Sequence, residues 1–118
     1  MILVDTSIWI DHLRSTNAAL HTYLQDGSVM THELVIQELA CGHIKGRREV
    51  IGMLQSLPVA PVATPREVLN LIERKGLHGV GLGAIDVHLI ASALLAKAKI
   101  WSRDKALLQE AGRLGLAV

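Results

Sequence analysis

The sequence predicts an α/β fold in which helices cover both faces of a central, mostly parallel sheet, giving a three-layer α/β/α sandwich. Two observations favour this class. Short, fully apolar runs such as 1–4 and 100–101 end abruptly in turn-forming residues, which is typical of strands buried on both faces. Longer helical patterns separate these runs, and alternating strands and helices indicate parallel strands joined by crossovers. With 118 residues, no repeat and no linker, the chain fits one domain, residues 1–118.

Turn and cap residues mark the elements in the first half of the chain. Asp26-Gly27 ends a helix, Thr31 is the predicted N-cap of the next one, and Pro58 stops a third. The predicted order is a strand over 1–4, helices over 8–14 and 18–25, a strand over 29–30, a helix from 32 to 42, and a helix over 47–57.

Similar signals divide the second half. Thr64-Pro65 opens a helix, with a cap residue followed by a proline at the first helical position. The predicted order is a weak strand over 59–62, a helix over 65–76, a glycine-rich loop over 76–83, a long helix from 84 to about 98, a strand over 100–101, a helix over 105–112, and an edge strand over 116–118.

Composition narrows the possible functions. Twelve basic residues against eleven acidic ones leave a net charge of +1, so any nucleic-acid binding must be local. Half of the residues are apolar, which favours a buried interface in a homodimer or higher assembly. No segment approaches a membrane span, and the start lacks the basic region of a signal peptide. The single cysteine, Cys41, fits a reducing compartment as a small buried side chain. We expect a cytoplasmic protein without membrane attachment.

Four acidic residues lie where carboxylates are unfavourable. Asp5 and Asp104 follow the apolar runs at the carboxyl ends of two predicted strands, where parallel α/β sheets bind ligands. Helical periodicity puts Glu38 on the inward side of its helix and aligns Asp86 with a core stripe. Each acid alone has a structural explanation: Asp5 and Asp104 as N-caps, Asp86 in a first turn, or Glu38 paired with an arginine. Together they predict one crevice.

A crevice with four carboxylates predicts a hard divalent cation. Mg²⁺ or Mn²⁺ prefers carboxylate and water oxygens and recruits the phosphate oxygens of a substrate. Such a cation lowers the pKa of water and offsets charge in phosphodiester hydrolysis. Hydroxyls on Thr6 or Ser7 and on Ser102 are placed to orient water or phosphate, although Ser7 also fits a simple hydrogen bond to the turn backbone.

These residues resemble a known family. The similarity lies in four segments, which follow one another in order along nearly the whole chain: Ile2-Leu-Val-Asp5-Thr6-Ser7, Val35-Ile36-Gln37-Glu38-Leu39-Ala40, Gly83-Ala84-Ile85-Asp86 leading into Leu89-Ile90-Ala91-Ser92, and Ile100-Trp101-Ser102-Arg103-Asp104. They are similar to the PIN domain, and more narrowly to the VapC-type toxins of bacterial toxin–antitoxin pairs.

The resemblance implies a Mg²⁺-dependent endoribonuclease, with Mn²⁺ as a possible substitute, that a small DNA-binding antitoxin neutralises. It implies that Asp5, Glu38, Asp86 and Asp104 bind the metal and act in catalysis, and that Ser102 occupies the hydroxyl position beside the last acid. From its position after the first strand, Thr6 is the second predicted supporting hydroxyl. One departure is Lys105-Ala106, which follows the last acid where many PIN domains have a further acidic pair. This puts a fifth acidic contact in question and leaves the four acids unaffected.

The remaining patterns are weaker. Basic residues at Lys45, Arg47, Arg48, Arg103 and Lys105 are candidate contacts to an RNA backbone or simply solvated helix ends. The segment 79–84 fits a dinucleotide fingerprint, but a helical pattern precedes it where a strand is required. Two alternatives remain open: a receiver-like phospho-signalling module with an acidic Mg²⁺ pocket, and a PIN fold kept only for interactions.

Overall fold

The computed structural model describes all of residues 1–118 and contains three strands and seven helices. The strands are β1 (Ile2–Val4), β2 (Val29–Met30) and β3 (Lys99–Trp101). The helices are α1 (Thr6–Arg14), α2 (Ala18–Gln25), α3 (Glu33–Cys41), α4 (Arg47–Ser56), α5 (Pro65–Lys75), α6 (Ala84–Ala96) and α7 (Lys105–Arg113). None of the helices combines the length and apolarity needed to cross a bilayer.

The sheet has the order β2-β1-β3, and both pairings are parallel. In the central strand β1, Leu3 and Val4 are both completely buried. Because successive side chains of a strand point to opposite faces, helices must cover both faces of the sheet. This confirms the predicted three-layer α/β/α class. The register aligns Val4 with Trp101, so Asp5 and Ser102 emerge side by side beyond the sheet.

Two of the predicted strands, the weak strand and the edge strand, are shorter than expected. The segments 59–62 and 116–118 are reduced to single parallel bridges, Thr31 with Val59 and Ile100 with Ala117. Thr31 is therefore engaged with the sheet edge and does not cap α3. That N-cap is His32, whose side chain accepts a hydrogen bond from the backbone N–H of Leu34.

The core is one continuous cluster of 25 buried apolar residues that includes Trp9, which is fully buried. Trp101 is only partly buried and contacts this cluster from its edge. Cys41, expected in the interior, is exposed at the end of α3. The helices pack in two groups, α3 with α1 and α4, and α6 with α5 and β3.

The glycine-rich loop connects α5 to α6 and runs past the start of α7. Gly81 has a φ of +89°, and a Cβ atom there would lie 3.4 Å from that of Ala106. A side chain at this position would be both strained and crowded. The loop therefore fixes the start of α6, which carries Asp86, close to the helix that follows Asp104.

Candidate active site

Asp5 is the most buried acid of the predicted set, with 7% of its surface exposed. It follows β1 directly, and its backbone N–H donates to the carbonyl of Trp101 on β3. Two hydroxyls donate to its Oδ2 atom, Ser102 Oγ at 2.7 Å and Ser7 Oγ at 2.9 Å. Although Asp5 precedes α1, its side chain makes no capping hydrogen bond. The simple N-cap explanation therefore fails for this residue.

The two serine hydroxyls are held in turn by the loop after β3. Ser7 Oγ accepts from the backbone N–H of Arg103 at 3.0 Å, and Ser102 Oγ accepts from that of Asp104 at 3.0 Å. Since each hydroxyl accepts a backbone N–H, its own proton is directed to Asp5. Ser7 thus bonds the facing loop as well as a carboxylate, which is more than the turn contact expected from the sequence.

Asp104 begins α7 and does act as an N-cap. Its Oδ2 atom accepts from the backbone N–H of Leu107 at 3.2 Å. The side chain is exposed, and its Oδ1 atom accepts no hydrogen bond from the protein. Asp104 can therefore cap the helix with one oxygen and bind a ligand with the other.

Glu38 is exposed on α3 and is held from α1. Thr6 Oγ1 donates to Glu38 Oε1 at 2.7 Å. The prediction that Glu38 lies on the inward side of α3 is wrong, because the residue is exposed; it nevertheless faces α1 through this contact. The structure contains two ion pairs, Arg103 with Asp11 and Arg113 with Glu110. Neither involves Glu38, so the explanation that an arginine neutralises Glu38 also fails.

Asp86 is half-buried in the first turn of α6, where its Oδ2 atom accepts from the backbone N–H of Gly83 at 3.0 Å. Burial raises the pKa of Asp86, and the charges of Asp104, Asp5 and Glu38 raise it further. The Gly83 hydrogen bond opposes this shift. All three other acids are therefore near enough to act on Asp86, so the structure brings the four predicted carboxylates together.

These carboxylates share one arrangement: one oxygen accepts hydrogen bonds from the protein, two in Asp5 and one in each of the other acids, and the other oxygen accepts none. No lysine or arginine pairs with any of them. No group of three or more acid, histidine or cysteine side chains is arranged to hold a metal ion as it stands. The donor set of four oriented carboxylates nevertheless fits Mg²⁺, which binds through one or two carboxylates and keeps several waters.

The predicted basic residues lie on both sides of the crevice and are all exposed. Arg103 pairs with Asp11, and the guanidinium of Arg47 donates to the carbonyl of Ala40 at 3.1 Å. These two side chains are partly committed to the protein. The side chains of Arg48, Lys45 and Lys105 make no hydrogen bond or ion pair within the chain and are the freer of the five.

A groove of about 400 Å³ adjoins the crevice between α1 and the end of α3. Glu38 lies in its wall, so the groove and the carboxylates are continuous. Its lining also includes four apolar residues and two basic ones: Ile10, Leu13, Leu39, Ile44, Arg14 and Lys45. The apolar excess of the sequence favoured a groove beside the acids but did not indicate its residues, because its walls come from α1 and from residues 38–45, which are far apart in the sequence.

Comparison with known proteins agrees with this geometry. Residues 2–114 match the model of the PIN domain family. The chain belongs to the PIN domain family. It is also 48% identical to proteins named Ribonuclease VapC32 from two strains of Mycobacterium tuberculosis, over 119 aligned residues that span 100% of this chain and 96% of the relative. Within the family, it is of the VapC type. The receiver-like alternative is therefore wrong.

Two solved structures share the fold at low sequence identity. PAE2754 from Pyrobaculum aerophilum superposes with a TM-score of 0.64 and 19% identity over 92% of this chain and 78% of that one. A structure described as FitAB bound to an IR36 DNA fragment gives a TM-score of 0.66 and 18% identity over 95% of this chain and 91% of that one. Both support the PIN fold.

Proposed function

We propose that this chain is a Mg²⁺-dependent endoribonuclease that acts as the toxin of a toxin–antitoxin pair. The observation that carries the proposal is the crevice of four carboxylates with no basic partner, in a chain 48% identical over its whole length to a protein named a ribonuclease. An RNA substrate implies action in the cytoplasm. A PIN fold kept only for interactions would have no need for acids oriented in this way.

The carboxylates of Asp5, Glu38, Asp86 and Asp104 would hold the metal, with Mn²⁺ as a substitute for Mg²⁺. When bound, Mg²⁺ supplies a water of lowered pKa and offsets negative charge as the phosphodiester is attacked. Ser7 and Ser102 fix the direction of the Asp5 carboxylate, and Thr6 does the same for Glu38. These hydroxyls act by orienting acids, because their own hydrogen bonds are already committed to the protein.

The RNA strand would lie across the crevice between the basic residues on either side. Lys45, Arg47 and Arg48 lie beyond α3, while Arg103 and Lys105 flank Asp104. Contacts from such residues to phosphates give affinity without sequence information. The free side chains of Lys45, Arg48 and Lys105 are the stronger candidates.

The antitoxin, a small DNA-binding protein, would be held in the groove beside Glu38. The four apolar residues of the groove offer area for a helix or an extended peptide, and the adjoining acids offer partners for an arginine of that peptide. A peptide bound in this way would block RNA and compete with the metal at once.

A second copy of the chain would cover the apolar face formed by α5 and α6. Leu95 is 53% exposed there, and Leu94, which is 37% exposed, lines a shallow pocket with Glu67 and Arg74. Glu67 and Arg74 lie near opposite ends of α5, so two antiparallel copies can pair acid with base across a twofold axis. Sedimentation of wild type and Leu95→Glu tests this assembly: a dimer that the variant disrupts is expected, and two monomers would refute it.

The experiment that tests the catalytic proposal is RNA cleavage by the purified chain. We expect cleavage with Mg²⁺ or Mn²⁺, none with EDTA, and none from the Asp5→Asn/Asp104→Asn variant purified in parallel. The variant controls for contaminating nucleases. Equal cleavage by both preparations, or none by the wild type with either metal, would refute a metal-dependent ribonuclease and leave the interaction module.

A further inference from the structure

A hydrogen bond through the core joins the two helices that carry Glu38 and Asp86. His32, the N-cap of α3, is fully buried, and so is Ser92 on α6. The Nε2 atom of His32 lies 2.9 Å from Ser92 Oγ, while its Nδ1 atom accepts from the backbone N–H of Leu34 at 3.0 Å. One ring therefore caps α3 and reaches α6 at the same time.

These two bonds assign the tautomer of His32. Since Nδ1 accepts a backbone N–H, the proton of the neutral ring is on Nε2, which donates to Ser92 Oγ. Burial lowers the pKa of His32, the neighbouring His88 lowers it further, and Glu33 opposes the shift. The ring is thus uncharged at neutral pH, and its two nitrogens have distinct roles.

The location of this bond relates it to the carboxylates. Glu38 follows His32 by six residues on α3, and Asp86 precedes Ser92 by six residues on α6. The main partners of α3 are α1 and α4, and those of α6 are α5 and β3. The His32–Ser92 contact is the one side-chain hydrogen bond that joins α3 to α6.

We propose that His32 and Ser92 are positioning residues that fix the spacing of Glu38 and Asp86 and so set the affinity of the crevice for a divalent cation. The inference rests on the metal site of the proposed function. Neither residue touches the metal or the RNA. Partners that orient ligands from outside the coordination sphere commonly change metal affinity by about 10- to 100-fold when they are lost.

Three variants separate the cap from the connection between helices. His32→Asn keeps an acceptor where Nδ1 lies and loses the group that reaches Ser92. His32→Gln keeps a donor where Nε2 lies and loses the cap. Ser92→Ala removes the connection from the other side and leaves the cap intact.

The measurement is a titration with Mn²⁺ followed by melting temperature, without RNA. We expect His32→Asn and Ser92→Ala to need about tenfold more Mn²⁺ than the wild type for half-maximal stabilisation. This is the lower end of the usual range of about 10- to 100-fold. His32→Gln should titrate like the wild type. The His32→Asn/Ser92→Ala double variant should be no worse than either single variant, because both remove one contact.

Two controls isolate this effect from loss of stability. Thr31→Val removes a buried hydroxyl that has no partner, one residue from His32, and should leave the metal titration unchanged. Leu20→Val changes the buried residue of α2 and lowers the stability of the chain, and it should also leave the metal titration unchanged. Wild-type metal dependence in His32→Asn and Ser92→Ala, or loss confined to His32→Gln, would overturn the inference. A wild type that Mn²⁺ does not stabilise would instead refute the metal site itself.

A second experiment uses only the wild type, so it tests the inference even if the variants fail to fold. Coupling between two sites acts in both directions, so a bound metal should strengthen the His32–Ser92 hydrogen bond. In NMR spectra of the wild type, saturating Mg²⁺ should slow exchange of the His32 Nε2 proton more than that of the Leu116 amide, which bonds Ala111 at 2.7 Å. Equal slowing at both positions would mean global stabilisation only and would overturn the inference.

Discussion

The two sides of the carboxylate crevice are ordered to different degrees. On the strand side, Asp5 is buried and two hydroxyls hold one of its oxygens. On the helix side, Glu38 is exposed and has one threonine contact, while Asp86 has one backbone N–H. Buried groups held by several hydrogen bonds are rigid, whereas exposed side chains with single contacts are free to adjust. Under the proposed function, this difference predicts that Asp5 is a fixed metal ligand and that Glu38 and Asp86 adjust their positions to bind the cation.

The largest expected effect is on cleavage by Asp5→Asn, compared with Glu38→Gln. Asparagine can still accept the hydrogen bonds of Ser7 and Ser102, so the fold should survive while the charge at the fixed position is lost. We expect the rate of RNA cleavage to fall by orders of magnitude in Asp5→Asn and by less in Glu38→Gln. Initial rates with saturating Mg²⁺ measure this, and circular dichroism checks the fold.

Full activity in Asp5→Asn would contradict a carboxylate site altogether. An equal loss in both variants would contradict the contrast between the two sides of the crevice.

The next effect is stabilisation by metal. A site assembled from distant segments exists only in the folded chain, so Mg²⁺ or Mn²⁺ should raise the free energy of unfolding by about 2.7 kcal/mol at 100 times its Kd. We expect the melting temperature of the wild type to rise with metal and that of Asp5→Asn/Asp104→Asn to stay nearly constant. Asparagine is also a good N-cap, so the Leu107 contact is retained in the variant. Equal shifts in both proteins would mean that the metal binds elsewhere.

Burial and helical periodicity explain which elements and which acids could be predicted from the sequence. Fully apolar runs and helical periods define β1, β3 and the long helices, because burial on both faces leaves a clear pattern. The turn residues after those strands indicated Asp5 and Asp104, since parallel strands end at one edge of the sheet. Helical phase then indicated Glu38 and Asp86, which completes the set that the structure brings together.

Features that depend on contacts between distant segments could not be predicted from the sequence. Thr31 has the character of an N-cap, but the sheet edge engages it and His32 takes the capping position. His32 and Ser92 are 60 residues apart, so no local pattern connects them. The single bridges at Val59 and Ala117 similarly depend on how far each sheet edge extends, which neighbouring strands decide.

A smaller effect distinguishes the hydroxyls on the two sides. Ser102→Ala leaves the Asp104 amide without its acceptor and removes a donor from buried Asp5, which should cost about 1–3 kcal/mol of stability. Thr6→Val removes one contact to exposed Glu38 and should cost no more than about 0.5 kcal/mol. Urea denaturation of both variants without metal measures this. A larger loss in Thr6→Val would reverse the assignment of the rigid side.

The smallest expected effect is a dependence of stability on pH that comes from Asp86. Burial, followed by the charges of Asp104, Asp5 and Glu38, raises its pKa above the ordinary value. The folded chain then holds a proton at a pH where the unfolded chain has lost it. Metal-free stability should therefore fall as the pH rises from the ordinary aspartate value of about 3.9 through the raised pKa, and the penalty should persist above it.

Asp86→Asn keeps an acceptor for the Gly83 N–H and removes the charge. With EDTA, this variant should melt above the wild type at neutral pH and approach it in acid. With saturating Mg²⁺, the order should reverse, because only the wild type keeps all four ligands. Glu73→Gln, on the exposed face of α5, should show neither change. An Asp86→Asn variant less stable than the wild type in EDTA at neutral pH would show that burial and the neighbouring charges do not destabilise the charged form of Asp86.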